Sequence, residues 1–133
     1  MHKVVLDTNI LVSSLISTGP PAQIMDLVAY ERIVPIYNDL ILYEYWDVLS
    51  REKFKFSSDQ IIRLIDGITK TGILIENPEP SYFKMADEDD RIFFDTAWQA
   101  SAYLTTGNIK HFPQKHFIVS PVKFLDIYQK KVP

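Results

Sequence analysis

Four short stretches of this chain carry oxygen donors suited to a hard divalent cation. Asp7 opens Asp7-Thr8-Asn9 directly after the apolar run Val4-Val5-Leu6, and Glu44 follows Leu42-Tyr43. Asp87-Glu88-Asp89-Asp90 puts four acids in a row, and Thr105-Thr106-Gly107-Asn108 ends on a side-chain amide. Magnesium and similar ions take carboxylate, carbonyl and water oxygens. Four consecutive acids repel one another, and a cation relieves that repulsion. Each stretch also has a plainer reading. Asp7 is equally suited to capping a helix, and Glu44 reads alone as a surface glutamate. An acidic run in a first helical turn is favoured by the helix dipole, and asparagine after glycine is common in turns.

The elements that must position these residues follow from the apolar pattern. Val4 to Leu6 is apolar on both faces, as a buried parallel strand requires. A helix is expected over Ile10 to Ile16, stopped by Gly19-Pro20-Pro21, and a second from near Pro21 carrying Ile24, Met25, Leu27 and Val28. Ile33 to Tyr37 reads as the second strand. Pro35 inside it cannot donate to a ladder, which predicts an irregular strand or one partly at an edge. Asn38 or Asp39 caps a helix to about Arg51, with Leu40, Ile41, Tyr45, Val48 and Leu49 as its core stripe and Glu44 at the margin. Ser57 to Gln60 is a capping box ahead of Ile61, Ile62, Leu64, Ile65 and Ile68. Ile73 to Ile75 is the third strand, and a helix from about Asp90 to Ala102 carries Phe93, Phe94 and Ala97. Tyr103 to Thr105 and Phe117 to Val119 are the fourth and fifth strands, and Ser120-Pro121 caps the last helix.

Strands alternating with helices predict an α/β fold, a parallel sheet covered on both faces. In such sheets ligands sit beyond the carboxyl ends of the strands. Asp7, Glu44, Asp90 and Asn108 all fall at that edge, each after a strand or at the start of a helix. Their convergence, more than any one of them, argues for a site. The 133 residues fit one domain, 1–133. There is no cysteine, which excludes disulfides and thiolate zinc. A net charge of −3 argues against a tight, non-catalytic nucleic-acid binder. No apolar stretch reaches membrane-spanning length, and the N-terminal run meets an acid too early for a signal peptide. A soluble, cytoplasmic protein is the expectation.

Val4 to Ser13 resembles the opening motif of PIN domains. Asp90 to Ala97 is similar to their third acidic motif, Tyr103 to Phe112 to their fourth, and Leu42 to Tyr45 stands where the second acid is found. The resemblance spans nearly the whole chain and is nearest to toxins of toxin–antitoxin pairs related to VapC-like ribonucleases. It implies a three-layer α/β/α fold with five parallel strands in the order 3-2-1-4-5, and magnesium- or manganese-dependent cleavage of RNA. Carried over by motif, Asp7, Glu44 and Asp90 are the metal-site acids and Asn108 takes the fourth position, where many PIN domains have aspartate. Asn9 and Thr106 are supporting polar groups. The loss of one charge at Asn108 argues against a second tightly held ion. An ion held by a few carboxylates keeps waters and lowers the pKa of one of them, so hydrolysis by in-line attack leaves a 5′-phosphate. No histidine is needed as base. His111 and His116 lie in a loop and contact RNA phosphate or nothing. Lys110, Lys115 and Arg91 are candidate phosphate contacts.

An antitoxin is the implied protein partner. Tyr43, Tyr45, Trp46 and Trp98 read as exposed and point to an interface, with a homodimer one way of covering it. A haloacid-dehalogenase-like phosphatase needs a second aspartate two positions after the first, where this chain has Asn9. A receiver domain needs an aspartate after the third strand, which Ile75-Glu76-Asn77 does not supply. The remaining rival is a catalytically degenerate PIN domain acting as an RNA-binding or interaction scaffold.

Overall fold

The computed structural model describes residues 1–130; the last three positions of the expected domain lie outside the described residues. The first strand, β1 (Lys3–Leu6), leads into α1 (Thr8–Ile16) and α2 (Pro20–Ala29). Next come β2 (Val34–Tyr37), α3 (Asp39–Leu49), α4 (Ser58–Thr71) and β3 (Ile73–Leu74). The chain then passes through an irregular stretch to a 3-10 turn, Glu88–Asp90, and α5 (Arg91–Ala100); two further 3-10 turns, Glu52–Phe54 and Ile109–His111, lie between α3 and α4 and between β4 and β5. β4 (Tyr103–Thr105), β5 (Ile118–Val119) and α6 (Pro121–Gln129) complete it.

All strand pairs are parallel, in the order β3-β2-β1-β4-β5. Parallel strands need crossovers, and crossovers are right-handed. The chain therefore lays α1 to α4 on one face while it moves outward from β1 to β3, and α5 on the other as it returns. The packing agrees: α1 lies on α2 and α3, α2 on α4 and α6, and α5 against β1, β2 and β4. This is the three-layer α/β/α arrangement. Val4, Val5 and Leu6 are buried on both faces at the centre, which explains their lack of alternation.

Local rules fix the boundaries. Asn38 accepts from the Ile41 N–H at the start of α3, and Ser57 and Gln60 exchange both bonds of a capping box ahead of α4. Gly72 ends α4 where the backbone crowds: a Cβ there would lie 2.6 Å from the Ile68 carbonyl oxygen and closer still to that of Pro35. Several expected spans are corrected. α1 starts at Thr8, two residues before Ile10. α3 ends at Leu49, short of Arg51. α5 stops at Ala100, because Ser101 turns left-handed (φ 52°) and its N–H closes on the turn behind it, so the chain can leave for β4.

Pro35 does not mark an edge. β2 pairs with β1 on one side and β3 on the other. The Val34 N–H bonds the carbonyl of His2, the residue just before β1, so the alternate residue Pro35 turns its nitrogen away from β1. On that other side the ladder to β3 begins only at Ile36, and no donor is missed. Tyr45 is also corrected. Its place on the α3 stripe put it in the core while its type put it among the exposed aromatics. It is fully buried, whereas Leu40, expected on the stripe, is exposed. Tyr43, Trp46 and Trp98 are exposed as expected. No helix among the described residues is long and apolar enough to cross a membrane.

Candidate functional site

The strand order reverses direction between β1 and β4, and the carboxyl ends of these two strands frame a crevice. Asp7 is the first residue beyond β1. Its N–H donates to the Thr105 carbonyl at 3.0 Å, which continues the β1–β4 ladder and locks the residue at the reversal. Its side chain is 8% exposed. The Thr106 hydroxyl donates to Asp7 Oδ2 at 2.6 Å, and the Asn108 N–H donates in turn to Thr106 Oγ1 at 2.9 Å. Beneath, the buried Tyr45 hydroxyl donates to the Leu6 carbonyl at 2.6 Å. Asp7 precedes α1 without a side-chain capping bond, so the plain reading of this residue as a helix cap is not what its carboxylate does.

Burial raises the pKa of Asp7, against the opposing pull of the Thr106 hydroxyl, the Thr8 N–H and His111. Asp90 closes the 3-10 turn immediately before α5. Burial, then the charges of Asp7, Asp87 and Asp89, push its carboxyl up to about 6, with His111 opposing. His111 Nδ1 stands 3.8 Å from Asp90 Oδ2. Glu44, half-buried on the second turn of α3, is raised by burial and then by Asp47, with Arg51 opposing and Asp89 and Asp7 adding. These acids thus feel one another across three elements. Carboxylates in mutual repulsion without a cation are a donor set suited to a divalent ion.

Two of the remaining acids of the run, Asp87 and Glu88, are otherwise engaged. Asp87 accepts from the Asp89 N–H, and Glu88 pairs with Arg91 at 2.7 Å. Arg91, expected as a phosphate contact, is instead a strap. It donates to the Ser81 and Phe83 carbonyls and lies 3.7 Å from the buried Asp95. That fixes residues 81–83 against the start of α5, one residue from Asp90. On the opposite edge of the helix, Asn38 donates to Thr96, tying β2's carboxyl end to α5.

Asp7, Thr106 and Asp90 therefore come together at the crevice, with Glu44 at its rim. Asn9 sits beside them, its Oδ1 buried without a hydrogen-bond partner, next to Gly107. Asn108 is exposed and reaches the site through its backbone N–H. Among the described residues, no three histidine or acidic side chains are gathered closely enough to hold an ion between them. The fit to a metal rests on the unbalanced charge and on the free Asn9 oxygen. Two surface cavities, of about 400 and 810 Å³, flank Trp98 and include none of these residues.

The PIN-domain family model matches residues 3–110. The chain belongs to this family. An uncharacterized protein of Methanocaldococcus jannaschii is similar, 33% identical over 110 residues, covering 80% of this chain and 70% of that protein. PIN domains are in general nucleases, and nuclease-type hydrolysis is the activity that membership brings. Within this PIN domain the sequence pattern named the acids, with Asn9 and Thr106 beside them, but not the rest of their surroundings. His111 beside Asp90, Tyr45 beneath Asp7 and the Arg91 strap were missed. The only sequence signal for Tyr45 was its position on the α3 stripe, and no spacing rule pointed to the other two.

Proposed function

We propose that this PIN domain is a magnesium- or manganese-dependent endoribonuclease acting in the cytoplasm as the toxin of a toxin–antitoxin pair, with the cognate antitoxin as its protein partner. Asp7 and Asp90 at the crevice and Glu44 at its rim would hold the ion, with Asn108 at the fourth position and Asn9 and Thr106 in support. The observation that carries the reading is the meeting of Asp7, Asp90 and Glu44 at the strand reversal, where burial raises the Asp7 carboxyl and burial together with neighbouring acids, Asp7 among them, raises those of Asp90 and Glu44.

A bound magnesium or manganese supplies a water of lowered pKa and a counter-charge for the phosphate during displacement. The protein's own groups do the rest. Thr106 donates to Oδ2 of Asp7 and so fixes the orientation of its carboxylate. The strap through Arg91 and the 3-10 turn fix Asp90 opposite. Asn9 Oδ1 is buried with no partner in the protein, an acceptor left over at the site. Burial of Asp7 lowers the local dielectric, which strengthens every charge interaction there.

The test is cleavage of single-stranded RNA oligonucleotides in manganese by wild type and Asp7→Asn, with product ends analysed. The expected result is 5′-phosphate products from wild type and none from the variant. Manganese titration by calorimetry separates this from a degenerate scaffold, which has no reason to bind the ion at these acids. Wild type that neither binds manganese nor cleaves RNA ends the proposal.

A further inference from the structure

The turn after β4 brings His111 to the crevice, one of two loop histidines that the sequence leaves between RNA phosphate and no contact at all. We propose that His111 is a substrate-contacting residue, donating a hydrogen bond from Nε2 to a non-bridging oxygen of the RNA phosphate held over Asp7 and Asp90. This rests on the ribonuclease reading above. The Nδ1–Oδ2 separation of 3.8 Å is too long for a hydrogen bond. Asp90 therefore does not claim the ring's hydrogen, and Nε2 on the far side of the ring is open to carry it. The side chain is 58% exposed, so its partner comes from outside the protein.

The imidazole is nonetheless firmly placed. The His111 N–H bonds the Asn108 carbonyl at 2.9 Å, the Asn108 N–H bonds Thr106, and Thr106 bonds Asp7. The next residue, Phe112, is buried as an anchor. Three hydrogen bonds in series thus link the ring's backbone to the Asp7 carboxylate. His116 has no such tie: it packs edge-on against Phe117 at 5.7 Å and lines the cavity by Trp98. A phosphate approaching three carboxylates meets repulsion, and a donor on the rim offsets part of it. Imidazole is a poor ligand for magnesium, which takes oxygen, so contact with substrate is the better use of this ring.

The experiment compares wild type, His111→Ala and His111→Gln on one RNA oligonucleotide in manganese. Loss of a hydrogen bond to a charged group predicts a fall in kcat/KM of about ten- to a hundredfold for alanine, partly restored by glutamine, whose amide donates. Thermal melting and manganese affinity should not change. Replacing the contacted phosphate oxygen with sulfur should slow wild type and add nothing in His111→Ala, a signature that a structural role would not produce. In the Asp7→Asn background, fluorescence anisotropy should show weaker binding of the oligonucleotide when His111 is alanine. Equal cleavage by His111→Ala and wild type overturns the inference, as does a loss of manganese affinity that accounts for the lost rate. Wild type that binds the oligonucleotide without cleaving it removes the ribonuclease reading alone, and the anisotropy comparison still decides on His111. Wild type that neither binds nor cleaves overturns both.

Discussion

Asp90→Asn tests the charge crowding most directly. In the metal-free protein the Asp90 carboxyl is pushed from 3.8 to about 6 by burial first and then by Asp7 and Asp87. The folded state therefore prefers the protonated acid, and the unfolded chain does not. Between about pH 4 and pH 6 the folded state binds the extra proton, so stability falls as pH rises through that window. At pH 8 the ionised group costs the fold about 3 kcal/mol at 1.36 kcal/mol per unit. The side chain is still 23% exposed, and solvent screening reduces this to about 1–2 kcal/mol. Asparagine removes the charge while keeping the shape. In EDTA at pH 8 the variant should be more stable than wild type by about 1–2 kcal/mol, and the gap should close at pH 4. Urea unfolding followed by circular dichroism from pH 4 to pH 8 measures both. Manganese should reverse the order at pH 8, because an ion that binds only the folded wild type stabilises it by mass action. A variant less stable than wild type at pH 8 in EDTA would refute the crowding argument, and a pH-independent difference would refute its assignment to ionisation.

Three further outcomes are expected. Thr106→Val removes the hydroxyl that donates to Asp7 and accepts from Asn108, raising the Asp7 carboxyl further; about 1–3 kcal/mol should be lost at neutral pH, less in acid, by urea unfolding. Gly72→Ala drives a methyl into the Ile68 and Pro35 carbonyls, and should cost about 1–3 kcal/mol in thermal or urea unfolding with manganese binding unchanged. Asn108→Asp restores a fourth charge at an exposed position, so manganese calorimetry without RNA should show one site in wild type and tighter binding in the variant. Two tight sites in wild type would overturn that charge count.

The acids were legible because they follow the rules that place them. Asp7 comes at the end of an apolar run, and Asp90 at the start of an amphipathic one. Strand count and parallel pairing followed from the alternation of elements, whereas the order 3-2-1-4-5 came from the family resemblance, since periodicity carries no neighbour information. Pro35 misled because the rule against proline in inner strands concerns a donor that here has no partner to lose. Thr106, His111 and Arg91 were named in the sequence, but the Thr106 bond to Asp7, the place of His111 beside Asp90 and the Arg91 strap are contacts made in space. The Asp7–Thr106 bond joins residues 99 apart, and no local pattern encodes such a pair.

That separation also bears on when the site comes into being. β1 finds β2 about 30 positions on, but its other neighbour, β4, lies about 100 positions away. Long-range parallel pairing is slow, because the loop between must be closed before the contact repays it. The Asp7 carboxylate and its Thr106 donor meet only after β4 has joined the sheet, and His111 arrives with the same turn. A chain stalled in synthesis before Thr106 has a central strand and no crevice. Assembly is thereby its own safeguard: whatever hydrolysis the site performs is withheld until nearly the last strand is in place.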